Sequence, residues 1–128
     1  MSELPFQIEI IPGSPAYEQV IHAVHKALAS GLIKKGDAFP SVRALGKSAR
    51  INPNTAHKVV QHLVQDGTLE VLPGRGTQIA TPKKRSSSEL SNMITPELEQ
   101  LAIEAKRIGF TEKQLQQELS KIWTKLNL

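Results

Sequence analysis

The sequence predicts a mainly α-helical protein with one small β-hairpin. Three observations lead to this prediction: a capping residue followed by proline marks three helix starts, a Pro-Gly turn joins two β-prone runs, and a basic, serine-rich stretch precedes two further amphipathic segments. We therefore expect a domain of three helices and a hairpin over residues 1–80, a linker over residues 81–94, and a hairpin of two helices over residues 95–128.

The first helix is predicted to start at Ser14 and Pro15, because Ser suits the N-cap and Pro the first helical position. An apolar stripe at helical spacing follows and stops at Gly31. The stripe consists of Tyr17, Val20, Ile21, Val24 and Leu28. Ahead of this helix, residues 4–11 alternate enough to form a short strand or an extended arm.

The second and third helices are predicted to be separated by a tight break. Ser41 can cap a short second helix, and Asn52 with Pro53 starts a longer third one. The short helix is expected to bury Val42, Leu45 and Ala49, and the longer one Ala56, Val59, Val60, Leu63 and Val64. Polar side chains share the outer face of the third helix at spacings of i, i+3, i+4 and i+7. They are Asn54, His57, Lys58 and Gln61.

A basic hairpin follows the third helix. Residues 68–72 and 77–80 are β-prone runs joined by residues 73–76, which place Arg75 at the tip. A short helix, a break, a longer helix with a polar outer face and a basic hairpin together predict a winged helix-turn-helix. The start of the third helix is suited to phosphate and base contacts, because its free N–H groups and its dipole favour anions.

The tail is predicted to consist of two helices that need a partner. Thr95 and Pro96 start the first of them, Gly109 ends it, and a capping box from Thr111 to Gln114 starts the second. Segments below about 40 residues rarely form a core alone, so we expect the hairpin to pair with that of a second copy around a two-fold axis. Docking on the chain's own winged helix is the alternative. The dimerisation residues are predicted to be Leu98, Leu101, Ile108, Leu115, Leu119, Ile122, Trp123 and Leu126.

The positive charge of the chain is concentrated in its middle. The net charge is +4, yet residues 34–85 carry ten Lys and Arg residues against three acidic ones, and the flanking segments are slightly acidic. Concentrated positive charge is typical of polyanion-binding surfaces, because Lys and Arg release the counterions that phosphates condense. A solvated basic face without a partner is the alternative.

Four blocks of residues carry a family resemblance. They are Tyr17-Glu18-Gln19-Val20, Gly36 through Leu45, Asn52-Pro53-Asn54-Thr55 and Gly67 through Thr77. In order and spacing, these blocks resemble the DNA-binding domain of the GntR family of bacterial transcription regulators, over residues 13–80. The start of the third helix and the short tail are similar to the YtrA-type subfamily. Phe39 stands where the family usually has Leu, and Gly46-Lys47 where Ala is common.

The resemblance implies a sequence-specific DNA-binding transcription regulator. Members of this subfamily are small dimeric repressors, commonly encoded beside membrane transporter genes. We therefore expect a homodimeric repressor of a palindromic operator, because two-fold symmetry in the protein requires two symmetric half-sites. The resemblance directs Arg43 at the DNA backbone or a base edge, whereas for Asn52 a capping role alone is an equal alternative. It also places Asn52, Asn54, Thr55, His57 and Lys58 at the start of the recognition helix, and Gly74, Arg75 and Gly76 at a wing tip that enters the minor groove.

Other functions receive little support from the sequence. Without cysteine there is no disulfide and no thiolate nucleophile, and the four histidines lack a metal-binding motif, so we expect no enzyme, no metal and no cofactor. No apolar run reaches the roughly 18 residues of a membrane span, and the N-terminus lacks a signal peptide, so a cytoplasmic protein is expected. A winged helix that serves as an adaptor for an acidic protein is the alternative function. Any small-molecule effector stays unknown.

Overall fold

The computed structural model describes residues 4–127, which form five helices and a three-stranded sheet. In chain order the elements are α1 (Ala16–Ala29), β1 (Ala38–Phe39), α2 (Val42–Ala49), α3 (Pro53–Gln65), β2 (Leu69–Leu72), β3 (Gly76–Ile79), α4 (Ser87–Arg107) and α5 (Glu112–Leu126). The chain divides into two compact units, residues 1–82 and residues 83–128. The predicted fold class, mainly α with a small hairpin and a helical tail, is confirmed.

Capping residues start α2 and α3 as predicted. The Ser41 hydroxyl accepts a hydrogen bond from the Ala44 N–H at 3.1 Å, and the Asn52 side-chain oxygen accepts one from the Asn54 N–H at 2.8 Å. Pro53 occupies the first turn of α3, where its missing N–H costs no helical hydrogen bond. Both helix starts are therefore specified by local interactions within a few residues.

The start of α1 has no capping side chain, and a glutamine of its first turns binds the N-terminal arm. The N-cap of α1 is Pro15, which has no capping side chain, so the prediction of Ser14 as the cap is wrong. Gln19 donates to the carbonyl oxygens of Ile11 and Ser14 at 2.8 and 2.9 Å, and its own side-chain oxygen accepts from the Ile11 N–H. Residues 4–11 form an extended arm that is not part of the sheet. The buried ring of Phe6 anchors this arm to the core.

The turn between α2 and α3 has an unusual backbone. Arg50 adopts the left-handed conformation, with φ 57° and ψ 47°, and is the only non-glycine residue of positive φ within residues 4–127. The N–H groups of Arg50 and Ile51 both donate to the Gly46 carbonyl oxygen, which closes the end of α2 around a left-handed residue. The left-handed conformation costs an L-residue roughly 1–2 kcal/mol. The interaction of a cation with the dipole at an exposed helix C-terminus stabilises the fold by only about 0.3–1 kcal/mol.

Gly46 lets the two helices approach closely at this turn. A Cβ atom added there would lie 3.4 Å from the Ile51 carbonyl oxygen, 3.6 Å from the Ala56 Cβ and 3.8 Å from the Pro53 Cα. Gly46 is itself buried. The glycine therefore positions the first turn of α3 against the last turns of α2.

The sheet has the strand order β1-β3-β2, with both neighbouring pairs antiparallel. Leu69 pairs with Ile79 at the base of the β2–β3 hairpin, and Leu72 pairs with Gly76 next to its tip. Strand β1 has only two residues and was not predicted, because its pairing with β3 is a tertiary contact without a pattern in its own sequence.

The core of the first unit is built from the predicted stripes. Its members from the helices and the hairpin include Val20, Val24, Leu45, Val59, Leu63, Leu69 and Ile79, all nearly inaccessible to solvent. Val42, Val60 and Val64 are partly buried around this core. Phe39 of β1 joins it by stacking on Phe6, with 6.0 Å between the ring centroids. The helix-turn-helix and the hairpin thus share one apolar core.

Helix α4 begins nine residues earlier than predicted, because its N-cap is Ser86 and not Thr95, so the linker over residues 81–94 and the helix start at Thr95 are wrong. The Ser86 hydroxyl accepts from the Glu89 N–H, and the Glu89 carboxylate accepts from the Ser86 N–H, both at 3.2 Å. This capping box stabilises the first turn. Pro96 lies inside the helix, where it removes a single N–H donor from 21 residues. Residues 80–86 are the stretch without regular structure.

The turn between α4 and α5 follows the prediction. Gly109 has φ 84°, the Phe110 N–H donates to the Ala105 carbonyl at 2.8 Å, and the Gly109 N–H donates to the Lys106 carbonyl at 3.2 Å. These two bonds form a Schellman motif. Thr111 and Gln114 then exchange the two hydrogen bonds of a capping box at the start of α5.

The space around Gly46 leads to a stability prediction. Gly46→Ala should raise the free energy of unfolding by up to about 1 kcal/mol, because the new methyl group makes ordinary contacts and Ala favours the helix. Gly46→Leu should lower it by about 1–3 kcal/mol, because the longer side chain has to displace α3. Urea unfolding measures both values, and a leucine variant as stable as the wild type would contradict the close approach.

Candidate nucleic-acid interface

The outer face of α3 presents the predicted polar residues to solvent. Asn54, His57, Lys58 and Gln61 are all exposed, whereas Ala56, Val59 and Leu63 on the opposite face are fully buried. Thr55 is half-buried at the first turn. The apolar stripe therefore orients α3 with its polar stripe outward, and the first turn of the helix leaves its N–H groups near the exposed Asn54 side chain.

Asn52 has a structural role at this surface. Its side-chain oxygen accepts the Asn54 N–H and so caps α3. The remaining amide NH₂ of Asn52 is exposed at the helix start, and no other described residue bonds to it. Asn52 can therefore cap the helix and still donate to a ligand through that NH₂ group.

The wing tip is a tight turn with an exposed arginine. The Arg75 N–H donates to the Leu72 carbonyl at 2.9 Å, so Leu72 to Arg75 form a four-residue turn. Pro73 and Gly74 occupy its central positions, and the φ of 72° at Gly74 matches a type II turn. Gly76, with φ 79°, opens β3. Two residues with positive φ therefore flank Arg75 and leave its side chain in solvent.

The basic residues of the middle segment do not form a single surface. The Gly36 N–H donates to the Ile79 carbonyl at 2.8 Å, so Lys34 and Lys35 lie at the base of the sheet, at the end opposite Arg75. Strand β1 then runs from Ala38 towards the wing-tip end, and α2 with the exposed Arg43 follows. The total charge can be read from the sequence, but the separation of the basic residues between two ends of the sheet cannot.

The acidic residues of the same segment are engaged within the protein. An Asp37 carboxylate oxygen accepts the Lys34 N–H at 2.9 Å, Glu70 accepts a hydrogen bond from the Gln78 amide, and Asp66 is bonded to Thr68 and His25. Among the ion pairs of residues 4–127, none involves a Lys or Arg of residues 34–85. The charges of these bases are therefore not neutralised by protein carboxylates.

Asp66 links α1, α3 and the start of the hairpin. One carboxylate oxygen lies 3.0 Å from the His25 Nε2 and 3.8 Å from the His62 Nε2, while the other accepts the Thr68 N–H at 2.9 Å. Partial burial raises the pKa of Asp66, but the hydrogen bonds with Thr68 and the interaction with His25 outweigh it, so the pKa lies below its usual value. The ring of Tyr17 packs edge-on against His62.

The tail exposes the apolar residues that were predicted for dimerisation. At least half of the surface of Leu98, Leu101, Ile108, Leu119, Ile122 and Trp123 is accessible, and Leu115 and Leu126 are half-buried. The earlier start of α4 adds Leu90, Met93 and Ile94, which are also more than half exposed. These three residues are absent from the predicted dimerisation set, because they lie in residues 81–94, which the serine-rich composition predicts as a linker. Their spacing continues the α4 stripe, so the apolar face is longer than predicted.

Neither a metal-binding cluster nor a membrane-spanning helix occurs in the described part of the chain. Residues 4–127 hold no group of three or more His, Cys, Asp or Glu side chains that could bind a metal ion. In the same range, no helix has both the length and the apolar character needed to cross a membrane.

The first unit matches a known protein family, and nearly the whole chain is similar to a known repressor. The family described as "Bacterial regulatory proteins, gntR family" matches residues 16–79. The HTH-type transcriptional repressor YtrA of Bacillus subtilis (strain 168) is 36% identical over 117 residues, which cover 91% of this chain and 90% of that relative.

Solved structures agree with the fold. A GntR family transcriptional regulator from Listeria monocytogenes superposes with a TM-score of 0.68 at 25% identity, over 88% of this chain and 98% of that chain. The DNA-binding domain of AraR, solved in complex with operator ORX1, superposes with a TM-score of 0.50 at 26% identity, over 57% of this chain and 93% of that chain.

The contacts of Asp66 lead to a pH prediction. Asp66→Ala should lower the free energy of unfolding by up to about 1 kcal/mol near neutral pH, a value limited by the solvent exposure of the carboxylate. Because folding lowers the pKa of Asp66, its contribution is present above the ordinary pKa of 3.8 and is lost as the pH falls through the lower folded value.

Urea unfolding of wild type and variant over a pH series measures this difference. It should be present at about pH 5 and shrink as the solution is acidified further, through the lowered pKa of the folded state. Glu9→Ala, which removes an exposed acid of the arm, is the control. A difference that persists undiminished in strongly acidic solution would contradict the assignment.

Proposed function

Because the chain belongs to the GntR family of bacterial regulatory proteins, we propose that it is a transcription repressor that binds operator DNA as a homodimer. The observation that carries the proposal is the set of exposed, unneutralised polar and basic side chains around the start of α3 and at the wing tip. The name of the YtrA relative and the operator complex of the AraR domain support the same function.

Helix α3 is proposed to enter the major groove with its first turns. The side chain of Asn54 is suited to bidentate pairing with adenine, and His57 with Lys58 can donate to bases or phosphates. Arg43 on α2 is proposed to contact the backbone or a base edge from the neighbouring helix. The buried stripe of α3 supports this orientation, because it leaves the polar stripe as the accessible face.

The wing is proposed to place Arg75 in the adjacent minor groove. Narrow minor grooves concentrate negative potential and attract inserted arginine side chains. Gly74 and Gly76 lack side chains, so the turn can approach the sugar-phosphate backbone closely. The start of α3 and the wing would then contact two adjacent grooves of the same operator half-site.

The exposed face of the tail is proposed to be the dimer interface. Two copies related by a two-fold axis would cover the stripes of α4 and α5, which remain accessible in the single chain. Two-fold symmetry in the protein requires a palindromic operator, with half-sites spaced by about one helical turn or a multiple of it. Operators beside transporter genes are expected from the subfamily, and selection of bound genomic fragments identifies them.

Substitution of the two arginines tests the DNA contacts. Arg43→Ala and Arg75→Ala should each weaken operator binding by about 1–3 kcal/mol and reduce its salt dependence, because each removes a cation from the interface. A fluorescence anisotropy titration over a salt series measures both quantities. Lys34→Ala with Lys35→Ala is the matched control, since it removes positive charge from the opposite end of the sheet.

Two outcomes would contradict the DNA contacts. If the arginine variants bind as the wild type does while the control binds weakly, the interface lies at the other end of the sheet. If the wild type enriches no specific fragment from the source genome, an adaptor function with an acidic protein partner is favoured instead.

Charges on the tail test the dimer. Leu119→Glu with Trp123→Glu should give a monomer in sedimentation and weaken operator binding about ten-fold or more, because two linked half-site contacts become independent. Ile103→Glu is the matched control, because Ile103 is equally exposed but lies outside the α4 stripe. A wild-type chain that sediments as a monomer would favour docking of the tail on its own winged helix.

A further inference from the structure

Arg50 occupies a backbone conformation that its side chain makes unfavourable. It lies in the left-handed region at the turn between α2 and α3, where glycine would adopt the same φ without steric cost. Strained positions of this kind persist only where the surrounding structure holds them, and they cluster at functional sites. An arginine where glycine would relieve the strain therefore raises the question of what its side chain does.

The fold does not use the Arg50 side chain. The turn is closed by the backbone N–H groups of Arg50 and Ile51, which donate to the Gly46 carbonyl oxygen and are available to any non-proline residue. The side chain is exposed, and no ion pair within residues 4–127 includes it. The favourable charge at the end of α2 is worth less than the backbone strain, so it does not account for the arginine.

Arg50 is the last in a row of three exposed cations that precede the recognition helix in the sequence. Arg43 and Lys47 lie at i and i+4 on one face of α2, and Arg50 follows in the left-handed turn directly beyond the helix end. Two residues later Asn52 caps α3, whose first-turn N–H groups and dipole favour an anion. A phosphate near the start of α3 would therefore meet both the helix dipole and this row.

We propose that Arg50 binds a phosphate of the DNA backbone next to the bases that α3 reads. Guanidinium presents paired N–H donors that match two phosphate oxygens, and such contacts fix the register of a protein on the duplex. The inference rests on the proposed operator binding and adds a residue to it. Arg50 is then a backbone contact that positions α3, and it does not select the base sequence.

The variant Arg50→Gly separates function from stability. It removes the guanidinium and relieves the backbone, so we expect the thermal unfolding midpoint to equal or exceed that of the wild type. Operator affinity should fall about five-fold or more, and the slope of log K against log salt should become shallower by about 0.9, the loss of one phosphate contact. Affinity for an unrelated duplex should fall by a similar factor, because phosphates carry no sequence information.

Two further variants complete the test. Arg50→Lys should restore the salt slope, because it keeps the charge, while recovering only part of the affinity, because it loses the bidentate geometry. Lys121→Ala on α5 is the control for general charge loss and should leave both quantities unchanged.

The outcomes distinguish this inference from the proposed function. Unchanged affinity and slope in Arg50→Gly, or a clear fall in its unfolding midpoint, would overturn the phosphate contact. If Arg43→Ala and Arg75→Ala bind as the wild type does, operator recognition by this surface fails instead. Even then, a lower affinity of Arg50→Gly than of the wild type for an unrelated DNA duplex would support the phosphate contact.

Discussion

The close approach of α2 and α3 at Gly46 sets the position of α3 within the helix-turn-helix. The Ile51 carbonyl and the Ala56 methyl group lie within ordinary contact distance of the position a Cβ atom would occupy, so the space between the helices admits no side chain larger than a methyl group. Since the separation of packed helices depends on the side chains between them, a larger residue would move the start of α3. The placement of Asn54 and Lys58 thus depends on a buried glycine of the neighbouring helix.

The binding surface also depends on where the acidic residues are used. Asp37 and Glu70 accept hydrogen bonds in the turn and the sheet, and Asp66 holds α1 and the hairpin to the end of α3. Carboxylates that stabilise the fold at the base of the sheet are not available to neutralise Arg75 at its other end. The same placement therefore stabilises the domain and preserves the positive potential at the wing.

Local signals explain how much of this fold the sequence predicts. Ser41, Asn52 and Thr111 cap helices that begin where expected, because a cap and its hydrogen bonds lie within three residues. The start of α4 differs from the prediction because Pro96, which suits a first helical position, lies inside the helix, whereas the Ser86 capping box starts it. Strand β1, the division of the basic residues between two ends of the sheet, and the backbone of Arg50 arise from tertiary contacts, which periodicity does not encode.

The longer α4 gives the tail a larger exposed apolar face than the sequence predicts. Ala105 is the only buried apolar residue of the tail within residues 83–127, so the second unit has almost no core of its own, while its apolar face extends from Leu90 to Leu126. Helices of this length owe most of their stability to packing of an apolar face, so the tail depends on a partner surface. The irregular stretch between the two units is confined to residues 80–86, so it is shorter than the predicted linker. In the proposed dimer, a short tether would keep the second half-site contact at high effective concentration once the first has formed.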